Sequence, residues 1–324
     1  MVDVAALADA VHAGDRRSLA RAITLVESTR PDHRETADAL LEQLMPATGN
    51  AVRAGISGAP GAGKSTFIEV FGLHVVDAHH EVAVLAVDPS STRSGGAILG
   101  DKTRMEELSR SSHAFIRPSP AGRTLGGVAR RTREVMLVCE AAGFDVVIVE
   151  TVGVGQSEVA VAGMVDVFCL LLAPGSGDEL QGVKRGIVEL ADLVVVNKAD
   201  GALADLARHT AGDYAHAMHL IRPRTPGWEP RVLLASALEG TGIDEVWCAV
   251  GDYMTSVRAS GALATRRAEQ AREWMWSEVT DSILERVRTG PHTAARLRAL
   301  EADVEGGRIS PAAAARRLLD GFSL

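Results

Sequence analysis

The sequence predicts an α/β protein built on a doubly wound, mostly parallel sheet, with helical extensions at both ends. Three observations predict it. Six short apolar runs, VRAGIS, EVAVLAVD, FDVVIVE, DVFCLLLAP, DLVVVNK and RVLLAS, recur between residues 52 and 236. Each is apolar on both parities, the pattern of a strand covered on both faces. Amphipathic stretches separate the runs, and strands alternating with helices through right-handed crossovers wind such a sheet on both sides. The notable polar residues fall at the carboxyl ends of the runs, where sheets of this kind bind ligands.

Taken in order, residues 1–48 form an N-terminal helical extension. SLARAITLVES repeats its apolar positions at helical spacing, and Pro46 with Gly49 closes the segment. Residues 49–254 hold the alternating pattern and form the central domain. Residues 255–324 are helical again: RRAEQAREWMWSEVTDSILERVR is one long amphipathic helix, broken at Gly290-Pro291 and followed by helices around AARLRALEADV and PAAAARRLL. This last region either packs on the central domain or pairs two subunits, and its length favours an arm.

The chain has 324 residues, enough for a substantial core, and a net charge of −8 that does not favour a nucleic-acid surface. Cys139, Cys169 and Cys248 stand singly in apolar segments, as packed, reduced thiols do, with no metal or redox pair among them. The first residues, MVDVAALADAVHAGDRR, carry acids early and lack the apolar core of a signal peptide or the acid-poor composition of a transit peptide. The apolar run MVDVFCLLLAPG is short and holds Asp166, so no membrane span is expected. The expected location is the cytoplasm.

The most informative stretch is GAPGAGKST, comprising Gly58, Ala59, Pro60, Gly61, Ala62, Gly63, Lys64, Ser65 and Thr66. It matches G-x-x-x-x-G-K-[ST] in full and lies between an apolar strand and a helix, the context that a chance glycine-rich turn lacks. Its backbone N–H groups would cradle nucleotide phosphates, Lys64 would add a point charge, and Ser65 would offer a hydroxyl to Mg²⁺. The expected fold is thus of the P-loop type.

Asn197, Lys198 and Asp200 form NKAD directly after DLVVV. A carboxylate there accepts two N–H bonds from guanine, whereas adenine would face it with a ring acceptor, so GTP is the expected nucleotide. An ordinary turn also uses Asn and Asp. The fold order and the SAL of Ser236, Ala237 and Leu238 after the next strand favour the nucleotide. Asp88 and Glu150 end strands and are candidates to hold Mg²⁺ or orient water, although Asp88 in VDPSS also suits a turn. Asp101 in LGDKTRM is a third carboxylate that suits either a loop or a metal. Glu150-Thr151-Val152-Gly153 resembles the loop whose glycine senses the γ-phosphate. Val154 stands where many GTPases carry a water-orienting Gln, so slow intrinsic turnover is expected. His79-His80 is expected as a solvated loop, and Arg123, Arg130, Arg131 and Arg133 as a solvated helix face.

With these motifs in place, the chain resembles the MeaB/ArgK group of P-loop GTPases, the methylmalonic aciduria type A family. The resemblance rests on GAPGAGKST, VDPSSTRSGGAILGDKTRM, RPSPAGRTLGGVA, AGFDVVIVETVGVGQSE, PGSGDELQGVKRGI and NKADG, and covers almost the whole chain. It implies a homodimeric GTPase chaperone of a cobalamin-dependent acyl-CoA mutase, most often methylmalonyl-CoA mutase, that gates adenosylcobalamin delivery and protects the mutase. By motif, Lys64, Asp88, Asp101 and Glu150 would be catalytic. Ser65, Asp88, Asp101 and Glu150 would hold magnesium. Gln156 in GVGQSE, and Glu179, Gln181 and Lys184 in the loop between Gly177 and Gly186, would couple switch and partner. The C-terminal helices would be the dimer arm. The competing expectations are a kinase acting on an amino-acid transport component and a metal-insertion GTPase. The latter would need Cys or His ligands near the switch, and the scattered cysteines offer none.

Overall fold

In the computed structural model, described here for residues 2–28, 30–87, 105–118, 125–151, 156–175, 185–290 and 293–320, seven parallel strands form one sheet. They are β1 Val52–Gly58, β2 Val82–Val87, β3 Ala114–Arg117, β4 Val146–Thr151, β5 Val167–Leu172, β6 Leu193–Val196 and β7 Arg231–Leu234, in the order β3-β2-β4-β1-β5-β6-β7. All six expected runs are strands, but β7 lies at a sheet edge with none of its four positions buried, so the expected burial on both faces does not hold for it. The seventh, β3, was not expected. It has four residues with only alternate positions buried, so it lacks the unbroken apolar run that marks the other strands.

The helices are α1 Val4–His12, α2 Arg16–Val26, α3 Pro31–Leu44, α4 Lys64–Asp77, α5 Glu106–Arg110, α6 Leu125–Ala141, α7 Gln156–Ala162, α8 Arg185–Val188, α9 Ala204–His219, α10 Ile243–Ala259, α11 Ala262–Thr289, α12 Thr293–Glu305 and α13 Pro311–Asp320. Strand residues divide by parity between the two faces. Val147 and Val149 of β4 pack with α6 and the N-terminal helices, through Leu19, Ile23 and Val138. Val146 and Ile148 pack on the other side with Phe67, Phe71 and Tyr253 of α4 and α10. β2, β4, β5 and β6 are buried at every position, and β1 from Ala54 onward, because helices cover both faces.

Long-range ion pairs fasten the N-terminal helices to the sheet. Arg34 of α3 donates to buried Glu134 of α6 at 2.6 Å, Arg117 of β3 pairs with Glu27 behind α2, and Arg16 of α2 reaches the carbonyls of Ser112 and Ala114. At the amino ends of the strands a second polar cluster lies around Asp166, which is fully buried before β5. Arg267 donates to both of its oxygens, at 2.8 and 2.6 Å, and also to the carbonyl of Ala51. Arg266 beside it reaches the Asp166 carbonyl, Tyr253 and Thr225.

The chain divides into two compact units, residues 1–268 and 269–324. The second is helical: α12 packs on α13, Arg296 donates to the Arg317 carbonyl, and Val287 and Ala314 are its buried hydrophobic residues among those described. Among the described residues no helix is long and apolar enough to cross a membrane.

Candidate nucleotide site

The stretch Gly58 to Thr66 forms the turn from β1 into α4, and two glycines shape it. Gly58 has φ +155°, and a Cβ there would stand 2.1 Å from the Leu171 carbonyl oxygen on β5. Gly63, at φ +87°, caps α4, and a Cβ there would stand 2.7 Å from Asn197 Nδ2. A side chain at either position must displace a strand or the base-recognition loop. Ala59, Pro60, Gly61 and Ala62 make the turn between them, with the Ala62 N–H donating to the Ala59 carbonyl at 3.2 Å. The first turn of α4 leaves its N–H groups aimed at this turn, an arrangement suited to an anion.

Lys64 is the buried cation of the site, only 8% exposed. Its Nζ donates to the carbonyls of Gly58 at 2.7 Å and Ala59 at 3.2 Å. Burial pulls its pKa below the ordinary lysine value, and the charges of Glu150 and Glu158 oppose that shift. Both carboxylates are buried, Glu150 near the end of β4 and Glu158 in the first turn of α7. Ser65 Oγ donates to Glu150 Oε1 at 3.2 Å, which brings a hydroxyl and a carboxylate together beside the loop. Thr66 is exposed on the next helical position.

Asn197, 1% exposed, follows β6 and ties three segments together. Its Nδ2 donates to the Ala62 carbonyl at 2.9 Å, and its Oδ1 accepts the Ala237 N–H at 3.1 Å. Lys198 adopts a left-handed backbone, φ +61°, and its Nζ donates to the Gly61 carbonyl at 2.7 Å. Asp200 Oδ2 accepts from Ser236 Oγ, which itself accepts the Glu239 N–H at 3.1 Å. Leu238 beside it is 83% exposed. The phosphate loop, NKAD and SAL therefore form one hydrogen-bonded unit, preorganised before any base arrives.

Several expected residues cannot be placed in it. Asp88, Asp101, Gly153, Val154, Glu179, Gln181, Lys184 and Arg123 lie outside the described residues, as does the side chain of Gln156. The expectation for His79-His80 meets a specific geometry: His80 Nδ1 lies 2.7 Å from Asp145 Oδ2, and its ring packs edge-on to Trp247. Among the described residues no group of three His, Cys, Asp or Glu side chains is arranged to hold a metal. Arg130 donates to buried Glu134 within α6, so part of the arginine-rich segment serves the helix itself. Sequence reasoning passed over Glu158, whose only signal was the acid in GVGQSE. It also passed over the buried pair Ser57 and Thr151, whose hydroxyls meet at 2.8 Å across β1 and β4.

Comparison with known proteins accounts for this arrangement. The family model described as methylmalonyl Co-A mutase-associated GTPase MeaB matches residues 19–292. A relative from Caulobacter vibrioides is 57% identical over 323 residues, covering 100% of this chain and 99% of its own. The mouse methylmalonic aciduria type A homolog, mitochondrial, is 49% identical over 322 residues, covering 95% of this chain and 77% of its own. A crystal structure titled LAO/AO transport system kinase superposes with a TM-score of 0.78 at 40% identity, covering 99% of this chain and 98% of its own. A glycine-rich turn hydrogen-bonded to the NKAD loop, on a seven-stranded parallel sheet with relatives across its full length, leads to one conclusion: the chain belongs to the MeaB family of P-loop GTPases.

Proposed function

We propose that this GTPase is the chaperone of a cobalamin-dependent acyl-CoA mutase, methylmalonyl-CoA mutase in the first instance, gating adenosylcobalamin loading and protecting the loaded enzyme. The family match over residues 19–292 carries the reading. In it, Lys64 neutralises the β- and γ-phosphates, and the N–H groups of the loop hold them. Ser65 and Glu150, 3.2 Å apart, are hard oxygen donors of the kind magnesium takes, and Asp88 and Asp101 would complete the set. Bound magnesium supplies charge neutralisation across the phosphate oxygens.

Asp200 selects guanine, and Asn197 and Lys198 hold its loop against the phosphate turn. Val154 cannot orient water, so basal turnover is slow and the partner supplies the acceleration through Gln156, Glu179, Gln181 and Lys184. The protein works in the cytoplasm as a homodimer, joined through residues 255–324. The exposed Met275, Trp276, Val279 and Leu284 of α11 support that pairing.

The test is GTP hydrolysis by the purified protein, alone and with methylmalonyl-CoA mutase. A slow basal rate that rises with the mutase supports the proposal. An unchanged rate with normal GTP binding moves the search to other acyl-CoA mutases. The kinase title of the structural relative gives a second reading its own arm: γ-phosphate label transferred to a transport-component protein, rather than released into solution, would favour it. Faster basal turnover in Val154→Gln would support the water-orientation argument, and rapid wild-type turnover would refute it.

A further inference from the structure

We infer that the hydroxyl pair Ser57–Thr151 is a positioning link between the phosphate loop and the γ-phosphate-sensing segment, maintained independently of nucleotide. The inference needs only GTP hydrolysis and no particular partner. Ser57 is the last residue before Gly58, and Thr151 directly follows Glu150. Ile56 and Glu150 are register partners in the β1–β4 ladder, so Ser57 and Thr151 are the next neighbours along it. Their hydroxyl oxygens are 2.8 Å apart, and neither residue is exposed.

The position of this link is what gives it a role. The phosphate loop has two stems, and each is hooked by a serine to one of the last two residues of β4. Ser57, before the loop, holds Thr151. Ser65, after it, holds Glu150 at 3.2 Å. Magnesium at the proposed site would compete for the Ser65 hydroxyl and the Glu150 carboxylate, so that hook changes with nucleotide state. The Ser57–Thr151 hook joins two fully buried side chains, sealed from solvent. It is therefore the fixed point from which the segment beginning at Val152 departs. Further back in the ladder, Ala54, Ile56, Ile148 and Val149 are apolar and buried, while Glu150 is the charged neighbour of the pair. Ala and Val would fill positions 57 and 151 without burying two hydroxyls, so packing alone does not call for the pair.

The test compares Thr151→Val, Thr151→Ser, Ser57→Ala and the double variant S57A/T151V. Three readouts are taken: kcat and KM for GTP in single and multiple turnover, the ratio of dissociation constants for GDP and a non-hydrolysable GTP analogue, and thermal midpoint. The double variant leaves no orphaned hydroxyl, so it is expected to fold with a midpoint near wild type. Its kcat should nevertheless fall by about 10- to 100-fold, with KM little changed, because the end of β4 loses its tie to the loop. Its preference for the GTP analogue over GDP should shrink in parallel. Thr151→Ser keeps the hydroxyl and should behave like wild type. Wild-type kcat and discrimination in the double variant, or a Thr151→Ser variant as impaired as Thr151→Val, would overturn the inference. So would losses that follow only the thermal midpoint across the series.

Discussion

Asp200 is the carboxylate proposed to decide the base. Ser236 holds one of its oxygens, and Asn197 pins the loop before it to both Ala62 and Ala237, so the acceptor is fixed in place rather than recruited. Guanine presents two N–H donors to such a group, and an amide would meet one of them with its own donor. Asp200→Asn should therefore keep the Ser236 contact and the fold. It should bind guanine nucleotides about 10²- to 10⁴-fold more weakly while gaining affinity for xanthine nucleotides. Competition against a fluorescent nucleotide reads both, and unchanged guanine affinity would remove Asp200 from the base site. The cysteines give a second residue-scale expectation. Burial raises the thiol pKa of Cys139, with the nearby Glu140 charge adding to it, and pushes Cys169 up to about 12, whereas Cys248 is exposed. At pH 8 a thiol reagent should label Cys248 alone in the native protein and all three after unfolding, because only the thiolate reacts. Raising the pH to about 9 should leave Cys139 and Cys169 silent until the fold opens. Rapid native labelling of a second cysteine would contradict the described core.

Elements are held by contacts that the local sequence does not announce. The Asp166–Arg267 pair joins the residue before β5 to the second turn of α11 across 101 residues, and Arg267 also caps the carbonyl of Ala51 before β1. Arg267→Met would strand a fully buried carboxylate and should cost roughly 3–5 kcal/mol in urea unfolding. Adding Asp166→Asn should recover part of the loss, because the unpaired charge is then gone. A single-variant loss below about 1 kcal/mol would mean that Asp166 is solvated after all. This network also marks the limit of sequence reading. The inner strands and the phosphate loop were legible because their signals are local: unbroken apolar runs and glycines at fixed offsets. NKAD became readable once the fold order placed it after a strand. Strand β3 was missed because four residues with only alternate positions buried carry no such run. The pairs Arg34–Glu134, Arg267–Asp166 and Ser57–Thr151 were missed because their members are 94 to 101 residues apart. Nothing near either partner says which charge or hydroxyl will meet it.

At the scale of the whole molecule, the C-terminal unit raises the question of what its apolar residues are for. Among its described residues Val287 and Ala314 are buried hydrophobics, while Trp276 is 60% and Met275 53% exposed, with Val279 and Leu284 also open. Trp276 and Val279 are about one helical turn apart on α11, and Met275 and Leu284 widen the apolar surface around them. Surface of this kind on a monomer costs solubility unless something covers it, and the proposed homodimer supplies a second copy of the same helix as the cover. In an isologous pairing each substitution acts twice. Trp276→Asp should thus weaken self-association by well over tenfold, because two charges enter the interface and two indole rings leave it. Sedimentation velocity over a concentration series reads the effect, with the expected shift from dimer to monomer. Basal GTP hydrolysis should stay close to wild type, since the residues of the proposed nucleotide site, 57–66, 150 and 197–237, all fall within the first unit. Acceleration by a mutase is the informative comparison. If it survives in the monomeric variant, a single subunit is the working element and the pairing serves stability. If it disappears while nucleotide affinity holds, the partner reads two copies at once. A wild-type protein that sediments as a monomer at every concentration would refute the pairing itself and leave these apolar residues to a different partner.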